Sequence, residues 1–105
     1  MRLIDSHCHL TDEAFDDDRL FILNDLSNFS IRAVINPATN LEDAKKAIEL
    51  AKDYDNFYPM VGIHPEEVDD IRDKDLKELE SLSQNKSVVA IGEIGLDYYL
   101  SLIHI

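Results

Sequence analysis

Ile31-Arg32-Ala33-Val34-Ile35-Asn36-Pro37-Ala38-Thr39-Asn40-Leu41-Glu42-Asp43-Ala44 reads as a strand turning into a helix. Ile31 to Ile35 is a short β-branched run closed by Asn36-Pro37, the pattern of a buried strand with a breaker behind it. Asn40 offers a side-chain oxygen to the unpaired N–H groups of a helix start, with Asp43 three residues on as a weaker capping-box partner. Leu41, Ala44, Ile48 and Ala51 continue that helix at the right spacing. Phe57 to Ile63 is the next strand, ending in Gly62-Ile63-His64-Pro65. Leu76, Leu79 and Leu82 mark a further helix, and Val88 to Ile94 a fourth strand with Gly92 and Gly95 near its end.

On the other side of the opening stretch, Phe15, Leu20, Leu23 and Leu26 place a helix between Glu13 and Leu26. Before it, Leu3-Ile4 leads as a strand into Asp5-Ser6-His7-Cys8-His9-Leu10. The order is therefore β-α-β-α-β-α-β without hairpin signals, which implies right-handed crossovers and a parallel sheet. Ile31, Ala33, Val34 and Ile35, like Val88, Val89, Ala90 and Ile91, are apolar on both strand faces, so a sheet covered on both sides is expected. Polar residues cluster at the carboxyl ends of the strands: His7 and His9, Asn36, His64 and Glu93. Both α/β barrels and open parallel sheets place their chemistry at that end.

The chain has 105 residues, 45% hydrophobic and 30% charged, enough for one modest core. No apolar run approaches the roughly 18–20 residues that span a bilayer. Met1-Arg2-Leu3-Ile4-Asp5 meets a carboxylate too early for a secretory signal. The single Cys excludes an internal disulfide and fits a reducing, cytoplasmic setting. With 22 Asp+Glu against 10 Lys+Arg the net charge is −12. That argues against a broad basic nucleic-acid surface, but not against a nuclease whose bound cations meet the phosphate locally. Asp16-Asp17-Asp18 belongs to the solvated surface.

His7-Cys8-His9 carries the first chemical signal. In an extended strand, residues i and i+2 share a face with Cα atoms roughly 6.5–7 Å apart. Two imidazoles can then close on one metal ion at about 2.0–2.1 Å, while Cys8 faces away as a packing residue. Glu93 sits in an apolar strand end where an unpaired carboxylate is costly. A metal or an Arg would equally serve as its partner. Asp5 is placed to orient an imidazole or to hydrogen-bond beneath the site.

Ile4-Asp5-Ser6-His7-Cys8-His9-Leu10, Val61-Gly62-Ile63-His64-Pro65 and Ala90-Ile91-Gly92-Glu93-Ile94-Gly95-Leu96-Asp97-Tyr98-Tyr99 together resemble the TatD family of metal-dependent deoxyribonucleases. These are amidohydrolase-like barrels, and the resemblance runs in family order from about Leu3 to Tyr99. It implies an α/β fold, the N-terminal half of a TIM (β/α)8 barrel with parallel strands. It also implies that His7 and His9 bind a divalent metal and that Glu93, the catalytic carboxylate, bridges two such cations (Mg, Zn or Mn). His64 and Asp97 take substrate-binding or supporting roles, as does Asp5. The implied reaction is cleavage of DNA phosphodiester bonds by a metal-activated water. A D-aminoacyl-tRNA ester hydrolase of the same family, or a non-catalytic metal-binding fragment, is the alternative. DNA is the expected partner, with no membrane and no stable protein partner implied. Tyr98 and Tyr99 are expected as core or rim aromatics, one of them available to stack on a base.

The family's remaining ligands, two His and a late Asp, have no counterpart, since His104 is the only later His. Leu100-Ser101-Leu102-Ile103-His104-Ile105 departs from the family pattern. Residues 1–100 are thus expected to be a partial domain, 101–105 a non-native tail, and the chain alone inactive.

Overall fold

A computed structural model describes residues 1–96. Strands β1 (Leu3–Asp5), β2 (Ile31–Pro37), β3 (Phe57–Val61) and β4 (Ala90–Ile91) form one sheet in the order β1-β2-β3-β4. Every neighbouring pair is parallel, with Leu3 opposite Ile31, Asn36 opposite Pro59, and Val61 opposite Ile91. Helices α1 (Arg19–Asp25), α2 (Leu41–Ala51) and α3 (Asp73–Ser83) make the crossovers. A sequential order without reversal, joined by right-handed crossovers, lays all the helices on one face. An open doubly wound sheet would reverse its order at a switch point. The arrangement is the half barrel that the family resemblance implied.

Two clusters fill the space between helices and sheet. Leu10, Leu23, Leu26, Val34, Ala47 and Phe57 form the first, and Ala38, Ala44, Ile48 and Val61 the second, against Leu79, Leu82 and Val88. On β3 the alternation is plain: Phe57, Pro59 and Val61 are buried, whereas Tyr58 is exposed and Met60 half-buried. The expectation of two covered faces holds for part of β2, where the consecutive residues Ala33-Val34 and Asn36-Pro37 are buried, and fails on β1, β3 and β4. One face carries helices, and the other is the concave side that a barrel would enclose.

Element boundaries depart from the periodicity most in two places, the first helix and the fourth strand. The first helical stretch breaks into a 3₁₀ turn at Glu13–Phe15, the short α1, and a second 3₁₀ turn at Leu26–Phe29. Leu20, read as a core residue, is 56% exposed, because the break rotates it off the buried stripe. The fourth strand contracts to Ala90–Ile91, where Val89 and Ile91 are exposed at a sheet edge with no further partner among the described residues. By contrast α2 opens as expected. Asn40 Oδ1 accepts the Asp43 N–H at 2.8 Å, and Asp43 Oδ2 accepts the N–H of Thr39, one residue before the cap, at 3.0 Å.

Candidate metal centre

β1 ends at Asp5, so the His-x-His segment lies on the loop that follows the strand, not within it. The ligand spacing is therefore not set by strand alternation. The loop still brings the two rings together: His7 Nε2 and His9 Nε2 are 3.1 Å apart, with the rings edge to face. Cys8 turns the other way and packs against the first core cluster, as expected. Burial, then the charge and hydrogen bond of Asp5, push its thiol above the ordinary value. A thiol held protonated is a poor metal ligand and a poor nucleophile. Cys8 is accordingly expected to react with iodoacetamide at pH 7.5 more slowly than a free thiol such as glutathione, by roughly tenfold or more. An equal rate would contradict its placement.

Glu93 arrives from the far side of the sheet. Gly92 N–H donates to Val61 O at 2.8 Å, docking the end of β4 against the end of β3. Glu93 Oε1 then lies 3.9 Å from His7 Nε2, and Oε2 lies 3.7 Å from His9 Nε2. Two donors bonded to one ion at about 2.0–2.1 Å in tetrahedral geometry stand about 3.3 Å apart. The observed separations bracket that value. One donor atom from each of His7, His9 and Glu93 lies within 4.8 Å of the others, and the N, N, O set suits a divalent transition metal. The three residues fit a metal ion.

His64 occupies a different position. It caps the 3₁₀ turn Pro65–Glu67, its Nδ1 accepting the Glu66 N–H at 3.1 Å. A neutral imidazole bonded in this way carries its proton on Nε2, which sits 4.0 Å from Glu93 Oε1. The inward-facing atom is then a donor, suited to an anionic oxygen but not to a metal. Asp5 turns its carboxylate to the backbone N–H of His7 at 3.1 Å and to Cys8, not to an imidazole ring. Asp97, Tyr98, Tyr99 and the 101–105 tail lie outside the described residues.

Two features of the site were not anticipated from sequence. The loop carrying His9 is tied down by Asn36, Arg19 and Lys46, whose long-range contacts leave no local pattern. Gly62, quoted only as part of a motif, makes the closest backbone approach in the site. Around the centre opens a groove of about 630 Å³, lined by Asp12, Phe15, Thr39, Glu66 and Glu67 as well as His9, His64 and Glu93. Its carboxylates outnumber its cations. Beside it, Arg19 donates to the Asp16 carboxyl and, with help from Lys46, holds it below the usual carboxylate range.

A family described as TatD related DNase matches residues 4–103. An uncharacterised metal-dependent hydrolase of Bacillus subtilis, YabD, is 32% identical over 97 residues, covering 92% of this chain and 38% of that protein. The 3′-5′ ssDNA/RNA exonuclease TatD of Cronobacter sakazakii is 29% identical over 96 residues, covering 91% of this chain and 36% of its own length. The crystal structure of YjjV, a TatD homologue from Escherichia coli K12, superposes with a TM-score of 0.82 at 33% identity, covering 92% of this chain and 38% of that one. The chain thus spans about two fifths of the length of these relatives. Matched by the family's model over residues 4–103 and sharing the fold of part of a solved relative, it belongs to the TatD-related DNase family.

Proposed function

We propose that this chain supplies one side of a two-metal centre that hydrolyses the phosphodiester bonds of DNA. The observation that carries this reading is the convergence of His7 Nε2, His9 Nε2 and a Glu93 carboxylate oxygen within 4.8 Å. Bound divalent cations would supply Lewis-acid activation of water and neutralise charge at phosphorus. His7 and His9 would hold one cation from the loop after β1. Glu93, with Oε1 toward His7 and Oε2 toward His9, would complete the donor set with its carboxylate. His64 presents its Nε2–H toward the same space and donates to a phosphate oxygen. The acidic groove repels a polyanion on its own, so DNA binding would depend on bound cations to offset the carboxylates.

Three ligands hold one cation weakly and a second poorly. The 105-residue chain alone is accordingly expected to bind metal but to turn over little DNA. The single Cys is compatible with work in a reducing cytoplasm. A chimaera joining residues 1–96 to the remaining barrel of the E. coli relative tests the substrate. It is expected to cut a labelled single-stranded oligonucleotide with Mn²⁺ and to lose at least about 100-fold in rate on Glu93→Gln. Hydrolysis of D-aminoacyl-tRNA without DNA cleavage would transfer the assignment to the ester-hydrolase branch. Robust DNA cleavage by residues 1–105 alone, abolished by His7→Ala, would refute the half-site reading.

A further inference from the structure

Within the reading of His7, His9 and Glu93 as metal ligands, we infer that Asn36 is a positioning residue for His9, acting through Thr11. His9 sits on an irregular segment between the end of β1 at Asp5 and the 3₁₀ turn that starts at Glu13. A ligand on such a segment wanders unless its backbone is fixed, and the partners that orient ligands affect metal affinity strongly. Here the segment is fixed on both sides of His9. Cys8 N–H donates to Ile35 O at 3.0 Å, one residue before His9. Two residues after it, Thr11 N–H donates to Asn36 Oδ1, and Asn36 Nδ2 donates to Thr11 Oγ1, both at 3.0 Å. Both anchors, Ile35 and Asn36, are consecutive residues of β2.

Asn36 is fully buried and Thr11 nearly so. A buried amide is costly unless its hydrogen bonds are made, and the side-chain bonds of Asn36 go to Thr11. An aliphatic residue would fill the space between Val34 and Ala38 without that cost. The amide is therefore present for the loop, not for the core. The loop carbonyls are fixed as well: Arg19 Nε donates to Leu10 O at 2.5 Å, Lys46 Nζ to Thr11 O at 2.7 Å, and Arg19 Nη2 to Asp12 O at 2.9 Å. Every backbone and side-chain polar group of Thr11 thus has a partner. His7 lacks comparable support, its N–H meeting only the exposed Asp5 carboxylate. His9 is the preorganised ligand of the pair.

Co²⁺ titration of the whole chain, followed by visible absorption, tests this. Asn36→Ala and Thr11→Val are expected to weaken Co²⁺ binding by roughly 10–100-fold, and Thr11→Ser, which keeps the hydroxyl, to stay within about threefold of the parent. In nitrogen-15 NMR of the metal-free chain, the ring signals of His9 should shift or broaden in Asn36→Ala, and more than those of His7, whose ring touches it. Ile48→Ala, in the second core cluster away from the loop, controls for simple destabilisation: it should lower the urea midpoint without changing Co²⁺ affinity. If Asn36→Ala does not fold, the two Thr11 variants decide. Parent-like Co²⁺ affinity in Thr11→Val, or an equal loss in Ile48→Ala, overturns the inference. His9→Ala separates the two readings, because unchanged Co²⁺ binding there would overturn the metal assignment itself.

Discussion

Gly62→Ala is expected to separate Glu93 from the two histidines and to cost the chain both stability and metal affinity. A Cβ on Gly62 would overlap the Gly92 carbonyl carbon and oxygen and stand 2.7 Å from Glu93 N. All three are backbone atoms of the segment that delivers the carboxylate, so no rotamer change relieves the overlap. The ends of β3 and β4 must part, breaking the 2.8 Å hydrogen bond from Gly92 N–H to Val61 O. Overpacking of this kind costs roughly 1–3 kcal/mol, and displacement of a ligand adds a loss of roughly 10–100-fold in metal affinity. Gly92→Ala provides the contrast. Its Cβ would meet only the terminal methyl of Met60, and a Met side chain has three torsions with which to withdraw. Urea midpoints and Mn²⁺ titrations of the two variants check the pair. Equal effects, or a parent-like Gly62→Ala, would remove the close approach as an explanation of the Gly-x-His-Pro motif.

That close approach shows where sequence reading succeeds and where it stops. The β-α alternation was legible because each element carries a local signal: the β-branched run at Ile31–Ile35, the Asn40 cap, the spacing of Leu41, Ala44 and Ile48. The candidate ligand set was legible because His7, His9 and Glu93 are polar residues at strand ends, which the structure brings together, and the resemblance supplied their proposed roles. Barrel against open sheet was not legible before the family resemblance, since it depends on strand order. The 1-2-3-4 order of the sheet decides it. The break of the first helix escaped because α1 is only seven residues long and is set by packing of Leu23 and Leu26, not by propensity. The supports of the site escaped for another reason. Asn36 and Thr11 are 25 residues apart, and Lys46 and Thr11 are 35 apart. Hydrogen bonds across such separations exist only once the sheet has formed.

The proposed reading divides the site most sharply between His7, His9 and Glu93, as metal ligands, and His64, as a donor to substrate. His7→Ala, His9→Ala and Glu93→Gln are each expected to weaken Mn²⁺ or Co²⁺ binding by at least roughly 100-fold, about 2.7 kcal/mol, because each removes one donor from a set of three. Among them His7→Ala should be the mildest, since its ring is the most exposed, 54% against 34% for His9, and its loop position the least supported. His64→Gln should leave metal affinity within about threefold of the parent. Its Nδ1 is already committed to the Glu66 N–H, so its inward Nε2 carries a proton and has no lone pair for an ion. What His64→Gln should lose is affinity for a single-stranded oligonucleotide measured with metal present, where a donor to phosphate oxygen is missing or misplaced. Fluorescence anisotropy of a labelled oligonucleotide at saturating Mn²⁺ reads that loss separately from metal binding. If His64→Gln weakens metal binding as much as His9→Ala does, then His64 is a fourth ligand, the hydrogen bond to Glu66 opens on metal binding, and the centre in this half barrel is more complete than three donors make it.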